Sequence, residues 1–352
     1  EEVSKIPGVN LIIGTKERSK IIDYINEIKV GNDQINAVND IMGTRYFEQL
    51  HVESYKDKTR AFLKIQEGCS QFCSYCIIPY ARGPIRSRPP EEVMEEVTRL
   101  SEAGFKEVVL TGIHVASYGR DLKNTSLIDI IKKVHEVEGI ERVRLGSIEP
   151  TTITDEFVAA AKDMKKLCQH YHISLQSGCD ATLKRMSRRY TAKEYKEVVN
   201  RLRENFEDVA ITTDVMVGFP GETDEEFEET LSFLKEINLY QMHIFKYSPR
   251  KGTPAAKYPD QVASEVKDRR SNILMELSSK NTLVFNRKHL GKIIPVLFEQ
   301  EVKQKKGYVE GLTSNYIRVI CEGTSKMHGR ICDVLLEKAE EDYIVGKLVK
   351  EI

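Results

Sequence analysis

No apolar run in this 352-residue chain is long enough to cross a membrane, and no signal-peptide pattern opens it. A membrane protein is therefore not expected, and a cytoplasmic one is. Trp is absent, which by itself decides nothing. No excess of charge of either sign is present: 53 Lys and Arg face 54 Asp and Glu, a net charge of −1. Any nucleic-acid partner must then be held by a local basic patch rather than by the field of the whole molecule. Cysteine is sparse, seven in all, and none precedes Cys69. Cys168, Cys179, Cys321 and Cys332 are scattered and outline no disulfide framework. The chain opens at Glu1 without an initiator Met, and a truncated or processed front is expected.

The other three cysteines are concentrated. Cys69, Cys73 and Cys76 fall in Glu67-Gly68-Cys69-Ser70-Gln71-Phe72-Cys73-Ser74-Tyr75-Cys76. A cubic four-iron cluster takes four ligands, one on each iron. Three cysteines leave one iron open to a bound molecule, against which Tyr75 is placed to pack. The alternative is a zinc site, which needs a fourth ligand; His51 and His114 are nearest and neither has finger-like spacing. A disulfide within the triad is a further alternative.

The chain reads as two or three domains. Residues 1–30 read as a helix end, a strand and a helix, and residues 31–58 as a polar linker. From Thr59, strands alternate with helices. The strands are expected at Ala61–Gln66, Glu107–Thr111, Arg142–Ile148, Tyr171–Gln176, Ala210–Val217 and Met242–Tyr247. Helices are expected at 91–103, 127–137, 155–165, 192–205 and 224–237, with capping boxes at Thr191/Glu194 and Thr223/Glu226. Such alternation predicts an α/β fold, a partial six-stranded parallel barrel with right-handed crossovers. Its chemistry belongs on the loops beyond the C-terminal strand ends, and the cysteine loop follows the first strand. A long helix over 261–288 is followed by five short strands, a small β-barrel. The expected divisions are 1–56, 57–288 and 289–352.

The cysteine motif resembles the signature of the radical S-adenosylmethionine (SAM) superfamily. There the open iron chelates SAM, and an electron from the cluster releases a 5′-deoxyadenosyl radical. The order of parts resembles the methylthiotransferases: an α/β domain, a radical SAM barrel and a terminal barrel of the TRAM type. Three strings resemble the type that acts on threonylcarbamoyladenosine beside the tRNA anticodon. They are Gly112-Ile113-His114-Val115-Ala116-Ser117-Tyr118-Gly119-Arg120-Asp121, Arg144-Leu145-Gly146-Ser147-Ile148-Glu149-Pro150 and His172-Ile173-Ser174-Leu175-Gln176-Ser177-Gly178-Cys179. The resemblance implies addition of a methylthio group to carbon 2 of N6-threonylcarbamoyladenosine. It also implies two roles for SAM, an electron donor such as flavodoxin or ferredoxin, and a second [4Fe-4S] cluster that carries the sulfur. The three Cys ligands of that second cluster lie in the family's N-terminal domain and have no counterpart here. This chain is thus expected to bind and cleave SAM without completing methylthiolation. The isopentenyladenosine and ribosomal-protein aspartate types are alternatives within the family. An RNA-binding fragment with a structural metal is the alternative from another class.

The resemblance places Cys69, Cys73 and Cys76 on the cluster, and Tyr75, Gly112, Glu149, Gln176 and Gly218 around SAM. Gly112 would let backbone approach the SAM amino group. Glu149 would bond a ribose hydroxyl or hold Arg144. Phe219 is placed beside Gly218 under the adenine. For tRNA phosphates, the candidates are Arg82, Arg86 and Arg88, then Lys184, Arg185, Arg188 and Arg189. In the small barrel, Lys303, Lys305, Lys306, Asn315, Tyr316 and Arg318 would add grip, with Tyr316 stacking on a base. For each basic group the plain alternative is a solvated helix face.

Overall fold

The computed structural model describes residues 2–29, 34–49 and 59–349. His51 and the ends of the expected 31–58 linker lie outside them. The front segment comprises β1 (Leu11–Ile13), α1 (Ile21–Lys29) and β2 (Ile35–Ala37), with β1 and β2 paired in parallel. Part of the expected linker is therefore strand.

The alternation predicted from Thr59 is present. In order come β3 (Arg60–Glu67), α2 (Ile78–Arg82), β4 (Arg86–Ser87), α3 (Pro90–Glu102), β5 (Glu107–Gly112), α4 (Leu127–Glu136) and β6 (Arg142–Leu145). Next are α5 (Asp155–Asp163), β7 (His170–His172), α6 (Asp180–Arg185), α7 (Ala192–Asn205), β8 (Ala210–Val217), α8 (Asp224–Ile237), β9 (Gln241–Lys246) and α9 (Ser264–Lys288). β4-β3-β5-β6 form one sheet and β7-β8-β9 another, parallel throughout except for β4. Single parallel bridges at Val143/Leu167 and Ile148/Ile173 link the two sheets. β6 and β7 are shorter than their sequence suggests. Beyond β7 the chain keeps only isolated bridges, and Gln176, with φ +70°, turns it out of the extended conformation.

Residue alternation sorts the two faces of the strands. Ala61, Leu63 and Ile65 of β3 pack with Val93, Val97 and Leu100 of α3 and with Ile130, Ile131 and Val134 of α4 in the main apolar core. Burying each large aliphatic side chain there contributes about 1.5–3 kcal/mol. The other face mixes charged and polar groups with a few apolar ones such as Phe62. Residues from all six parallel strands line one cavity of about 320 Å³, so the two sheets wrap around a common lumen.

Helix entry follows local chemistry. Thr191 and Glu194 form the expected capping box of α7, and Ser126 and Asp129 form one on α4 that the sequence reading missed. The box expected at Thr223 is half made. Thr223 accepts from the Glu226 N–H, but the Glu226 carboxylate bonds Arg185 and Thr182 instead.

Beyond α9, β10 (Ile293–Glu301), β11 (Tyr308–Thr313), β12 (Arg318–Glu322), β13 (Ile331–Ala339) and β14 (Ile344–Leu348) close a barrel in the order β10-β11-β12-β14-β13. It docks on the N-terminal ends of β5 and β6. Arg142 donates to the carbonyls of Leu312 and Pro295 at 2.9 and 2.7 Å. Arg144 donates to those of Ser314 and Thr313 at 3.0 and 3.2 Å, and Glu107 pairs with it at 2.7 Å. Among the described residues no helix is long and apolar enough to cross a membrane.

Candidate active site around the cysteine loop

The cysteine loop leaves the C-terminal end of β3, the opposite end of the lumen from the small barrel. Gly68 starts it at φ +72°, and a Cβ there would lie 1.9 Å from the Pro84 carbonyl oxygen. Only glycine fits so close an approach. The loop is held by backbone: Cys69 N–H donates to Gly83 O at 3.0 Å, Cys76 N–H to Cys73 O at 2.9 Å, and Ser74 N–H to Met186 O at 3.0 Å. Phe72 has φ +53°, a left-handed conformation that costs a non-glycine residue about 1–3 kcal/mol.

All seven cysteines are free. Cys69 and Cys73 are buried and Cys76 is half-buried. Burial raises the Cys69 thiol to about 11, and it raises Cys76 as well. Both are thiols in the metal-free chain, and iron binding must displace their protons. Three free thiols on one loop form a soft donor set of the kind that holds iron–sulfur clusters, and with no fourth cysteine on the loop they fit a [4Fe-4S] cluster with one iron left to another ligand.

The surroundings of the triad differ in part from expectation. Glu149 does not hold Arg144, which is taken by Glu107. It lies 2.6 Å from Arg188 and 3.6 Å from His114. Burial opposes its charge, but His114 and Arg188 outweigh that and keep its carboxyl below the ordinary value. Arg188 is no surface phosphate contact. Its side chain is 6% exposed and donates to Cys73 Sγ at 3.3 Å, joining the cysteine loop to Glu149. Tyr75 packs edge-on against Phe219 and also lines a cavity of about 360 Å³ with Cys76, Met216, Phe245 and Arg250.

Gly112 ends β5 tightly against Gln66, where a Cβ would meet the Gln66 carbonyl oxygen at 2.8 Å. Gly218, at φ +70°, donates its N–H to Glu222 Oε1 at 2.9 Å. Phe219 is fully buried in a small apolar cluster with Met186 and Tyr247, so it offers no free face to a ligand. Gln176 lies beside β8, its N–H donating to Asp214 O at 2.8 Å.

The basic rim shrinks on inspection. Arg86 is buried and donates to the carbonyls of Arg82 and Pro84. Arg88 is buried against Glu96 at 2.6 Å. Arg185 is committed to Glu226. Arg189 and Lys184 are exposed, and Arg82 is half-exposed at 3.7 Å from Glu67. Tyr316 already has a ring partner within the chain. It stacks on His170 with centroids 4.2 Å apart and lines the lumen. Asn315 is buried beside His289, and Arg318 is paired with Glu310 and Asp342.

Two features escaped the sequence reading. Gln66 is fully buried and bonds three loop groups: its amide N donates to the carbonyls of Glu67 and Gly68, and its Oε1 accepts from His114 N–H at 2.6 Å. It ties the start of the cysteine loop to the loop after β5. The second is the lumen triad, with His172 Nε2 3.2 Å and His243 Nδ1 3.3 Å from the two oxygens of Asp214. The available signal for both was a polar side chain on the strand positions that alternate with the core-facing ones.

Comparison with known proteins agrees with this site. The radical SAM superfamily model matches residues 63–234. The threonylcarbamoyladenosine tRNA methylthiotransferase MtaB of Bacillus subtilis is 41% identical, over all of this chain and 78% of that protein. The tRNA-2-methylthio-N(6)-dimethylallyladenosine synthase of Clostridium tetani is 40% identical, over 99% of this chain and 76% of its own length. Among solved structures, the radical SAM methyltransferase TsrM of Kitasatospora setae, with cobalamin and a [4Fe-4S] cluster bound, overlaps 56% of this chain and 38% of its own at 19% identity and TM-score 0.48. That likeness is too remote to add to the assignment. With its cysteine loop at the mouth of a six-stranded lumen, and relatives this similar over its full length, the chain belongs to the radical SAM methylthiotransferases, enzymes that use a [4Fe-4S] cluster and SAM.

Proposed function

We propose that the protein acts on tRNA, supplying the SAM cleavage of an enzyme that adds a methylthio group to carbon 2 of N6-threonylcarbamoyladenosine beside the anticodon. The observation that carries this reading is a convergence. Two of the strings typical of that subfamily supply His114 and Glu149, which meet each other at 3.6 Å and, through Arg188, reach Cys73. The third supplies His172 to the lumen wall. The similarity to the Bacillus subtilis enzyme agrees with this choice without deciding it.

In this reading Cys69, Cys73 and Cys76 hold the cluster. Arg188 and Glu149 fix the loop's charge, and Tyr75, Gly112, Gln176 and Gly218 surround SAM. Residues 57–288 form the catalytic domain, 289–352 a TRAM-type barrel, and 1–56 the end of an N-terminal domain. Arg189, Lys184 and Arg82 are the groups left to meet phosphates. The reductant is a protein of the flavodoxin or ferredoxin kind, and the compartment is the cytoplasm.

The test is SAM cleavage with the cluster assembled anaerobically and a reductant present. 5′-Deoxyadenosine formation is expected to rise several-fold with tRNA bearing threonylcarbamoyladenosine. It should rise less with isopentenyladenosine tRNA and not at all with a ribosomal protein. Stimulation by either of the last two alone would overturn the reading.

A further inference from the structure

The two relatives described above are almost equally similar to this chain, at 41% and 40% identity, yet their names carry different adenine N6 substituents. One substituent ends in a carboxylate and the other is an apolar prenyl group. Similarity alone therefore does not choose between them. The wall of the lumen does.

Its polar groups are mostly spent. Arg144 is 2% exposed and committed to Glu107 and two carbonyls. Arg60 is held by Glu299. His170 lies buried under Tyr316, and burial keeps it uncharged. His172 uses both ring nitrogens, Nδ1 with the Thr212 hydroxyl at 2.9 Å and Nε2 with Asp214 at 3.2 Å. His243 differs. Its side chain is 59% exposed, its Nδ1 is on Asp214 at 3.3 Å, and its Nε2 has no partner among the described residues. Its ring stacks on His172 with centroids 5.3 Å apart, which fixes its direction. Donating its Nδ1–H to the Asp214 carboxylate raises its basicity, favouring the imidazolium.

The neighbours of His243 suit a purine. Phe245, two residues along β9 on the same face, is 51% exposed, and Phe62 across the lumen is 48% exposed. Two residues of strand span about 7 Å. Phe245 also lines the cavity beside Tyr75 and Cys76, whereas His243 lines the lumen. A base stacked on Phe245 can thus turn its reacting edge to the cysteine loop and its N6 substituent to His243.

We propose that His243, braced by Asp214 and His172, reads the substituent on N6 of the target adenine and selects a carboxylate-bearing group over an apolar prenyl chain. The inference rests on the tRNA reading above. An imidazolium N–H donating to a carboxylate is a charge-assisted bond. Against a prenyl group the same polar wall would be desolvated without return.

The test is binding of three synthetic anticodon stem-loops to the cluster-loaded protein with SAM, followed by fluorescence anisotropy. The loops carry threonylcarbamoyladenosine, isopentenyladenosine or plain adenosine beside the anticodon. The protein is expected to bind the first about tenfold or more tighter than the second, the size of one charged hydrogen bond. His243→Phe should erase that preference by weakening the first loop alone, and His243→Gln, which keeps a donor, should retain part of it. Thermal melting and SAM affinity of the variants check that they fold. A wild-type preference that survives His243→Phe overturns this inference and spares the tRNA reading. Equal weakening of all three loops also overturns it, since His243 would then be a general contact. No wild-type preference for the first loop would overturn the substrate reading itself.

Discussion

Cys73→Ala abolishes SAM cleavage and leaves tRNA affinity within about twofold. The argument starts from ligand count. With three cysteines on the loop, loss of one leaves two protein ligands for a four-iron cluster, too few to hold it against loss of iron. When bound, the cluster supplies the electron that breaks the SAM sulfonium, so cleavage falls with iron content. The fold does not depend on Cys73 in the same way. Backbone hydrogen bonds of Cys69, Ser74 and Cys76 hold the loop, and the apolar core lies on the other face of the strands. Anaerobic iron assay, 5′-deoxyadenosine formation and tRNA binding are measured together. Loss of tRNA binding along with cleavage would make the cluster a structural metal of an RNA-binding fragment and would contradict the enzyme reading.

Arg188→Met is expected to destabilise the protein by about 2–4 kcal/mol, because it strips a largely buried carboxylate of its nearest cation. Glu149 would keep only His114, at 3.6 Å. The same substitution removes a cation and an N–H donor from Cys73 Sγ, and the reduction potential of the cluster should fall. The two effects can be separated. Adding Glu149→Gln to Arg188→Met removes the stranded charge and should recover most of the stability while leaving the potential low. Denaturant unfolding reports the first quantity and a redox titration the second. A single variant that loses less than about 1 kcal/mol and keeps its potential would show that Arg188 has no such role.

Sequence alone carried the strands and helices because both signals are local. The β-rich stretch Ala210–Val217 matches β8 residue for residue, and Thr191 with Glu194 marked the start of α7. The cysteine triad was legible because all its ligands lie on one loop. Arg188 and Arg185 were misread for the opposite reason: their carboxylates are distant in the chain, Glu149 being 39 residues from Arg188 and Glu226 41 from Arg185. Tyr316 reads as a base-stacking group of the small barrel, and only the docking of that barrel stacks it on His170. The lumen triad was invisible because each member is one polar residue on a different strand, and only the parallel register of β7, β8 and β9 brings them together.

The central claim is a cluster held by three cysteines with one iron open to SAM. The most direct test is the electron paramagnetic resonance spectrum of the reduced, anaerobically assembled protein before and after SAM is added. The predicted result is a cluster signal at about four irons per chain that changes shape with SAM, because SAM then ligates an iron that no side chain holds. A signal unchanged by SAM, or bound zinc with no cluster signal, would contradict the account.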